Sequence, residues 1–315
     1  MKYVFGPVPS RRLNKSLGID TIPLKTCNWN CVYCQLGRTR PLVDDRKDYF
    51  PPEEILAEIR QILAFHDPSE IDWITFVGSG EPTLHASIGW LIRQVKALTQ
   101  LPVAVITNGS LFYRPEVRQE LAAADVVLPT LDAGSAKVYR RINRPRPEIT
   151  FRRLLDGLTA FRQEYRGRLW PEVMLVQGLN DTEEALRDIA AALQAIHPDA
   201  VHINLPVRPP AEKWVQPPDE EGLMRATAVL GEIAQVIRPV EGNFSLSGHE
   251  TLAESIINII SRHPMRQEEI ERILARWSPK EVDRELDELA TSGRVQVVQR
   301  YGTRFWTAAS QRYSD

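Results

Sequence analysis

Lys25–Gln35 reads KTCNWNCVYCQ, and the rest of the chain is organised around this stretch. It holds the three cysteines of the protein, Cys27, Cys31 and Cys34. The spacing CxxxCxxC can place three thiolates on three corners of an iron–sulfur cube, which leaves one iron without a protein ligand. We therefore predict a cluster whose remaining iron is open to a further ligand.

Two other interpretations of the cysteines are possible. A structural zinc site usually has four ligands, but the chain has no second cysteine pair, and the nearest histidine, His66, ends a predicted helix. A zinc-containing RNA-binding module is therefore an alternative with an incomplete ligand set. Three cysteines are also an odd number for a disulfide framework, and free thiolates persist best in a reducing compartment.

The composition is that of a globular chain with a weak overall charge. It has 315 residues, of which 43% are hydrophobic, and a net charge of -2. Such a charge does not by itself attract nucleic acid or an anionic membrane. No segment has the apolar run of a signal peptide or a membrane span. We expect a cytoplasmic protein with no membrane partner.

Strand-like and helix-like segments alternate along most of the chain. Apolar runs predict strands at Leu17–Ile22, Trp73–Val77, Val103–Ile106, Val126–Pro129, Val173–Val176 and Ala200–Leu205. Amphipathic segments between them predict helices near 51–65, 87–98, 114–123, 149–165, 182–196 and 219–236. Repeated βα units imply the α/β class with a parallel sheet, either open or closed into a barrel.

The pattern changes after the loop EGNFSLSGHE, near residues 240–249. Helices are predicted over 250–261, 266–276 and 278–291, followed by a hairpin made by Val295–Gln299 and Thr303–Thr307. Three helices and a hairpin are the order of a winged helix. The sequence therefore predicts a barrel domain over 1–240 and a winged-helix domain over 249–312.

Two motifs together carry a family resemblance. KTCNWNCVYC and the turn GSGEPTL at Gly78–Leu84 resemble the corresponding motifs of the radical S-adenosylmethionine (radical SAM) superfamily. The resemblance implies a partial (β/α)6 TIM-like barrel with a [4Fe–4S] cluster and S-adenosylmethionine as cofactors. Such enzymes cleave S-adenosylmethionine to a 5′-deoxyadenosyl radical, which abstracts hydrogen from a substrate. They need a reductant such as flavodoxin or ferredoxin.

The resemblance also implies roles for residues at matching positions. Cys27, Cys31 and Cys34 would ligate the cluster, Tyr33 would lie near the adenine, and Gly78–Thr83 would meet the methionine amino group. No catalytic residue is assigned. The positions that resemble cofactor-binding positions of the family are Tyr33, Gly78, Ser79, Gly80, Glu81, Pro82, Thr83, Thr107, Asn108, Thr130, Asp132 and Gln177.

The chain departs from the family pattern at two of these positions. Ser79 stands where a glycine is commoner, which suggests a shifted turn. Gln177 stands where a lysine or arginine often faces the methionine carboxylate, and a neutral amide cannot supply that charge. Arg140, Arg141 or Arg144 could supply it instead.

The substrate stays open at this point. Lys137–Arg153 is strongly basic, which fits either a solvated helix face or a site for an anionic substrate or RNA. Leu131–Pro145 resembles part of the tRNA-wybutosine-synthesising enzymes, and this resemblance extends patchily over residues 15–205. Asn204 and Arg208 follow a predicted strand and are further candidates to face a substrate, with a loop-capping asparagine and a solvated arginine as the alternative interpretation. RNA, a peptide and an anionic small molecule are all consistent with the sequence.

A non-enzymatic iron–sulfur sensor that acts through the winged helix is the rival hypothesis. Two features count against it. The GSGEPTL turn has no use in a sensor, and the third C-terminal helix carries five acids within 281–288, which phosphate would repel. The hairpin that follows is more basic, so binding of nucleic acid through the hairpin remains open. Binding of a peptide and covering of the substrate are equally open roles for this domain.

Overall fold

The computed structural model describes residues 2–237 and 251–314. Its strands fall in three sheets. They are β1 (Val4–Ser10), β2 (Asn14–Ile19), β3 (Trp73–Phe76), β4 (Val103–Thr107), β5 (Val126–Pro129), β6 (Arg168–Leu169), β7 (Glu172–Met174), β8 (Val201–Asn204), β9 (Ala234–Val236), β10 (Val295–Arg300) and β11 (Thr303–Ala308).

The helices lie between these strands and in the C-terminal part. They are α1 (Pro52–Phe65), α2 (Ile88–Leu98), α3 (Pro115–Leu121), α4 (Ala136–Ile142), α5 (Phe151–Glu164), α6 (Glu183–Ile196), α7 (Glu220–Leu230), α8 (Leu252–Ile260), α9 (Gln267–Ile273) and α10 (Pro279–Thr291). Among the helices of the described residues, none is long and apolar enough to cross a membrane.

The first sheet has the strand order β1-β2-β3-β4-β5-β6, in which β1 is antiparallel to β2 and the later neighbours are parallel. A second parallel sheet has the order β7-β8-β9. An isolated parallel bridge between Thr130 and Glu172 connects the two sheets. The predicted α/β fold with a partial TIM-like barrel is confirmed. Because the strands are parallel, their carboxyl ends share one rim.

The core explains why these segments form a barrel. The helix α1 buries Ile55, Leu56, Ile59 and Ile62 on one face, as an amphipathic helix against a core does. Residues along β4 and β5 are buried in near-continuous runs, as expected of strands covered on both faces. One large hydrophobic core joins strands of the barrel to their covering helices, and a smaller cluster contains Leu13, Ala104, Val126 and Leu128.

Some predicted element boundaries are wrong. The helix expected over 219–236 ends at Leu230, because Gly231 takes a φ of +80° at the helix end, and β9 follows. The strand expected over Val173–Val176 begins and ends earlier, as β7. It is separated from β6 by Trp170 and Pro171, and Pro171 has no N–H to donate to a neighbouring strand. The elements β1 and α4 are absent from the sequence prediction.

The C-terminal elements follow the order that the sequence predicts, with α8, α9 and α10 before the antiparallel hairpin β10–β11. They have a hydrophobic cluster of their own, to which Ile256, Leu274, Leu286 and Trp306 contribute. We call residues 251–314 the C-terminal unit. The predicted domain boundary near 240–249 lies outside the described residues, and the winged-helix assignment stays a prediction.

Candidate active site

A cavity of about 550 Å³ lies at the carboxyl rim of the barrel. We call Lys25–Gln35 the cysteine loop and Gly78–Leu84 the glycine loop; the first follows β2 and the second follows β3. Both contribute to the cavity wall, together with residues at the ends of β4, β5 and β8 and residues of the C-terminal unit. The predicted site residues that line it are Cys27, Cys31, Cys34, Tyr33, Gly78, Gly80, Glu81, Thr107, Asn108 and Thr130.

The three cysteine side chains are partly buried at this wall. Burial raises the pKa of the Cys27 thiol to about 12, so a free thiolate would be unfavourable there. Bound iron would supply the compensating charge, because a coordinated thiol is deprotonated. The described residues contain no group of three ligands that could hold a single metal ion. Ligands on separate irons of a cube lie further apart than ligands of one ion.

Each cysteine sulfur has a polar neighbour. The Lys25 ammonium donates to Cys34 Sγ at 3.1 Å and to the Gly37 carbonyl at 2.6 Å. The side-chain amide of Asn108 lies 3.7 Å from Cys27 Sγ, and that of Asn143 lies 3.7 Å from Cys31 Sγ. Donors around thiolate sulfur stabilise its negative charge and tune a cluster's potential.

The cysteine loop is surrounded by hydrogen-bond donors that can stabilise an anionic cluster. They are asparagine amides, a lysine ammonium and a backbone N–H. The Trp29 N–H also points at Cys27 Sγ, at 3.4 Å. A [4Fe–4S] cluster is anionic through its thiolate and sulfide ligands, and it is stabilised by such donors in a partly buried setting. The residues present therefore fit the group that the sequence predicts.

The glycine loop lies directly against the cysteine loop. Lys25 N–H donates to the Ser79 carbonyl at 2.6 Å, and Glu81 N–H donates to the Thr26 carbonyl at 2.9 Å. A Cβ atom on Gly80 would come within 1.9 Å of that Thr26 oxygen. The glycine is therefore needed for the close approach of the two loops.

Glu81 is buried and its carboxylate is surrounded by donors. It accepts from Thr83 N–H at 3.0 Å, from the Thr107 hydroxyl at 2.6 Å and from Asn108 N–H at 2.7 Å. Burial raises the pKa of Glu81, and these hydrogen bonds oppose the rise. Glu81 therefore fastens the glycine loop to the turn after β4 while its side chain also lines the cavity.

Asp132 is a hydrogen-bond partner of Tyr33. The Tyr33 hydroxyl donates to Asp132 Oδ2 at 2.5 Å, Asn143 Nδ2 donates to the same oxygen at 2.6 Å, and Met174 N–H donates to Oδ1 at 2.7 Å. Burial raises the pKa of Asp132 to about 7. Asp132 is not part of the cavity lining in the described chain. It fixes the position of the Tyr33 ring, and Tyr33 does line the cavity.

Ser79, Pro82 and Thr83 are buried but do not line the cavity in the described residues. The Ser79 hydroxyl donates to Asp20 Oδ2 at 2.6 Å. Asp20 in turn lies 3.4 Å from Arg262 of the C-terminal unit. The serine at this position therefore has a partner of its own, and it connects the glycine loop to the C-terminal unit through Asp20.

The structure does not bring Gln177 to the cavity. Its side chain is exposed, and its N–H donates to the Gln216 carbonyl at 2.9 Å. The cations proposed in its place do not reach the cavity lining of the described residues either. Arg140 and Arg141 are exposed on α4, and Arg144 pairs with Glu212 at 2.5 Å.

The cavity wall contains residues that the sequence suggests and residues that no sequence pattern identifies. Asn204 and Arg208, which are candidates from the sequence, line the cavity. Arg11 and Arg12 line it too, although they precede the first predicted strand and belong to no motif. Arg262 comes from the C-terminal unit, and no local motif marks it.

Comparison with known proteins gives three findings. A family model described as the radical SAM superfamily matches residues 21–192. The UPF0026 protein MJ1312 of Methanocaldococcus jannaschii is 37% identical over 279 residues, which cover 87% of this chain and 86% of the relative. A solved radical SAM methyltransferase from Sphaerobacter thermophilus is similar in fold, with a TM-score of 0.51 and 17% identity over 70% of this chain and 66% of that chain.

Proposed function

The chain belongs to the radical SAM superfamily, and from this membership we propose that it cleaves S-adenosylmethionine at a cluster held by Cys27, Cys31 and Cys34. The general prediction of a radical SAM enzyme with a [4Fe–4S] cluster and S-adenosylmethionine as cofactors is confirmed. Family membership gives no support to the iron–sulfur sensor or to the zinc-containing module.

One observation carries the assignment of the site. The three thiols line the same cavity as the glycine loop and the turn that contains Thr107 and Asn108. The proposed cofactor residues that share this wall are Tyr33, Gly78, Gly80, Glu81, Thr107, Asn108 and Thr130. When bound, the cluster and S-adenosylmethionine supply one-electron chemistry that removes a hydrogen atom from a substrate.

The chain's own residues hold this site in place. Glu81 keeps the glycine loop against the turn after β4 by accepting hydrogen bonds from that turn. Asp132 fixes the Tyr33 ring by accepting a hydrogen bond from the Tyr33 hydroxyl. Pro82 and Thr83 are buried within the glycine loop itself. Such fixed geometry lowers a reaction barrier because reactants need not be ordered at the moment of reaction.

The test is production of 5′-deoxyadenosine by the full chain after anaerobic reconstitution with iron and sulfide. We expect dithionite-reduced protein to form it, and we expect Cys31→Ala to lose both the cluster absorbance and the product. Arg152→Gln is the control, because Arg152 is exposed on α5 and its ion-pair partner in the described part of the chain is Asp156, at 2.8 Å. Failure of wild-type protein that holds an intact cluster would refute the proposal.

The external partner follows from the same proposal. Reductive cleavage needs an electron donor, for which a flavodoxin or a ferredoxin is suitable. We propose that the substrate, whether RNA, a peptide or an anionic small molecule, enters the cavity described above. The charges of that cavity favour one of these classes.

A further inference from the structure

The C-terminal unit forms part of the cavity wall. Gln35, next to Cys34, donates to the Arg262 carbonyl at 2.8 Å, and the Tyr313 hydroxyl donates to the Gln35 carbonyl at 2.6 Å. From the barrel, Arg208 donates to the Pro264 carbonyl at 3.1 Å. These contacts hold the loop between α8 and α9 at the cavity, where Arg262, His263 and Met265 line it.

This docking gathers cations from distant parts of the chain. Arg11, Arg12 and Arg208 of the barrel line the cavity beside Arg262, and we call these four the arginine group. They are close enough for each to influence the same imidazole, that of His263, whose pKa burial and the four guanidinium groups lower to about 3. The imidazole is therefore uncharged at neutral pH.

Three of the four arginines have carboxylate partners. Arg12 contacts Glu172, Arg208 pairs with Glu269 at 2.6 Å, and Arg262 lies 3.4 Å from Asp20. These pairs neutralise much of the charge of the three arginines. They also hold the guanidinium groups in fixed positions, as a binding site for an anion requires.

Arg11 differs from the other three. Its side chain makes no hydrogen bond or ion pair within the described residues. Its Nη1, like the Nε atoms of Arg12 and Arg262, is shielded from solvent and has no hydrogen-bond partner. Burial, Arg12 and Arg208 together lower the pKa of its guanidinium to about 10. A charged donor in this state is unfavourable unless an anion compensates it.

The position of the arginine group in the chain separates it from the shared chemistry of the superfamily. All four residues lie outside residues 21–192, the part of the chain that matches the superfamily model. The cysteine loop and the glycine loop lie inside that part. The chemistry common to the superfamily therefore does not need the arginine group. We assign the group to the substrate of this particular enzyme, because function depends on the individual site and not on the shared fold.

We infer that the arginine group binds a compact oxyanion, a phosphate or a carboxylate, of a small-molecule substrate. The role in turnover rests on the proposed function, whereas the binding itself does not. The cavity of about 550 Å³ has to hold S-adenosylmethionine as well, so the space that remains suits a small molecule. Arginine is the residue of choice here because its planar fork matches both oxyanions.

The test measures binding of inorganic phosphate and of malonate to the cluster-loaded full chain by anaerobic calorimetry. We expect one site for wild-type protein and for Arg152→Gln, and binding at least about tenfold weaker for Arg11→Gln. Arg11→Lys keeps the charge without the fork, so it should bind more tightly than Arg11→Gln. Thermal unfolding without anion checks that each variant is folded.

Three outcomes would overturn the inference. The first is equal binding by Arg11→Gln and Arg152→Gln, or no binding by wild-type protein. The second is competition between phosphate and S-adenosylmethionine, since the arginines would then serve the methionine carboxylate. The third is a short single-stranded RNA that binds in an Arg11-dependent way while the small anions do not. Formation of 5′-deoxyadenosine by wild-type protein, measured in the same preparation, reports separately on the proposed function.

Discussion

The cofactor loops and the arginine group line the same cavity but are assembled differently. The cysteine loop and the glycine loop are short continuous stretches that follow adjacent parallel strands. The arginine group combines residues as far apart in the chain as Arg11 and Arg262, and it exists only because the C-terminal unit lies at the barrel rim. The cofactor loops are therefore determined by local sequence. The arginine group is determined by the packing of the C-terminal unit against the barrel.

A third basic region shows that charge density along the sequence is a poor guide to such sites. Lys137–Arg153 is the most basic stretch of the chain, yet Arg140 and Arg141 are exposed, and Arg152 pairs with Asp156 on the surface of α5. Exposed pairs of this kind add little to stability. The solvated-face interpretation therefore fits these residues, and the cations at the cavity come from elsewhere.

The largest effect is expected where the two cofactor loops touch. Gly80→Ala would place a Cβ atom 1.9 Å from the Thr26 oxygen, so the loops must move apart. We expect the free energy of unfolding to fall by about 1–3 kcal/mol. Formation of 5′-deoxyadenosine should fall on the order of 100-fold, because small displacements of a cofactor are costly. Calorimetry or denaturant unfolding and the product assay measure the two effects.

Gly178→Ala is the matched control for Gly80→Ala. Gly178 has a φ of +67°, but no atom lies within 4 Å of the position of an added Cβ. Its substitution should cost about 1 kcal/mol of stability through the backbone alone and leave product formation unchanged. If both variants lose activity equally, the close contact of the two loops is not what positions the cofactor.

A smaller effect should come from the charge next to Cys34. The Lys25 ammonium donates to that sulfur at 3.1 Å, so it stabilises the more negative, reduced state of a cluster. We expect Lys25→Met to lower the reduction potential by roughly 60 mV, a tenfold change for one electron. Lys96→Met, which removes an ion pair with Asp125 away from the site, is the control. An unchanged potential in an anaerobic redox titration would contradict the assignment.

The cofactor loops could be predicted because their chemistry depends on spacing within one stretch. CxxxCxxC fixes three sulfur positions along a loop, and the glycines of GSGEPTL indicate a close backbone approach, which Gly80 makes. The family resemblance assigns Thr107, Asn108 and Thr130 to the cofactor site, and the three residues line the cavity at the carboxyl rim of the parallel strands.

The remaining features depend on tertiary contacts that no local pattern encodes. The partners of Asp20, Asp132 and Glu172 lie in other elements, so sequence spacing could not identify them. Gln177 could not be judged either, because the chain after β7 turns outward and exposes it. Arg11 carries no signal of its own, since its importance comes from burial near other cations.

The smallest effect concerns the contact that joins the two regions of the cavity. Ser79→Gly removes the hydroxyl that donates to Asp20, and Asp20 pairs with Arg262 of the arginine group. We expect the free energy of unfolding at neutral pH to fall by about 1–2 kcal/mol, while product formation changes little. The backbone N–H of residue 79 still donates to Asp20 Oδ1, at 3.2 Å.

The loss of stability in Ser79→Gly should depend on pH. Burial raises the pKa of Asp20, whereas the Ser79 hydroxyl lowers it by favouring the ionised carboxylate. The hydroxyl therefore stabilises the fold only where Asp20 is ionised, so the deficit of the variant should be large above the pKa of Asp20 and shrink in acid. Ser69→Gly, which removes a bond to exposed Asp67, should cost much less. A deficit that stays constant from acid to alkaline pH would mean that Ser79 does not act through Asp20, and the glycine loop would then be independent of the arginine group.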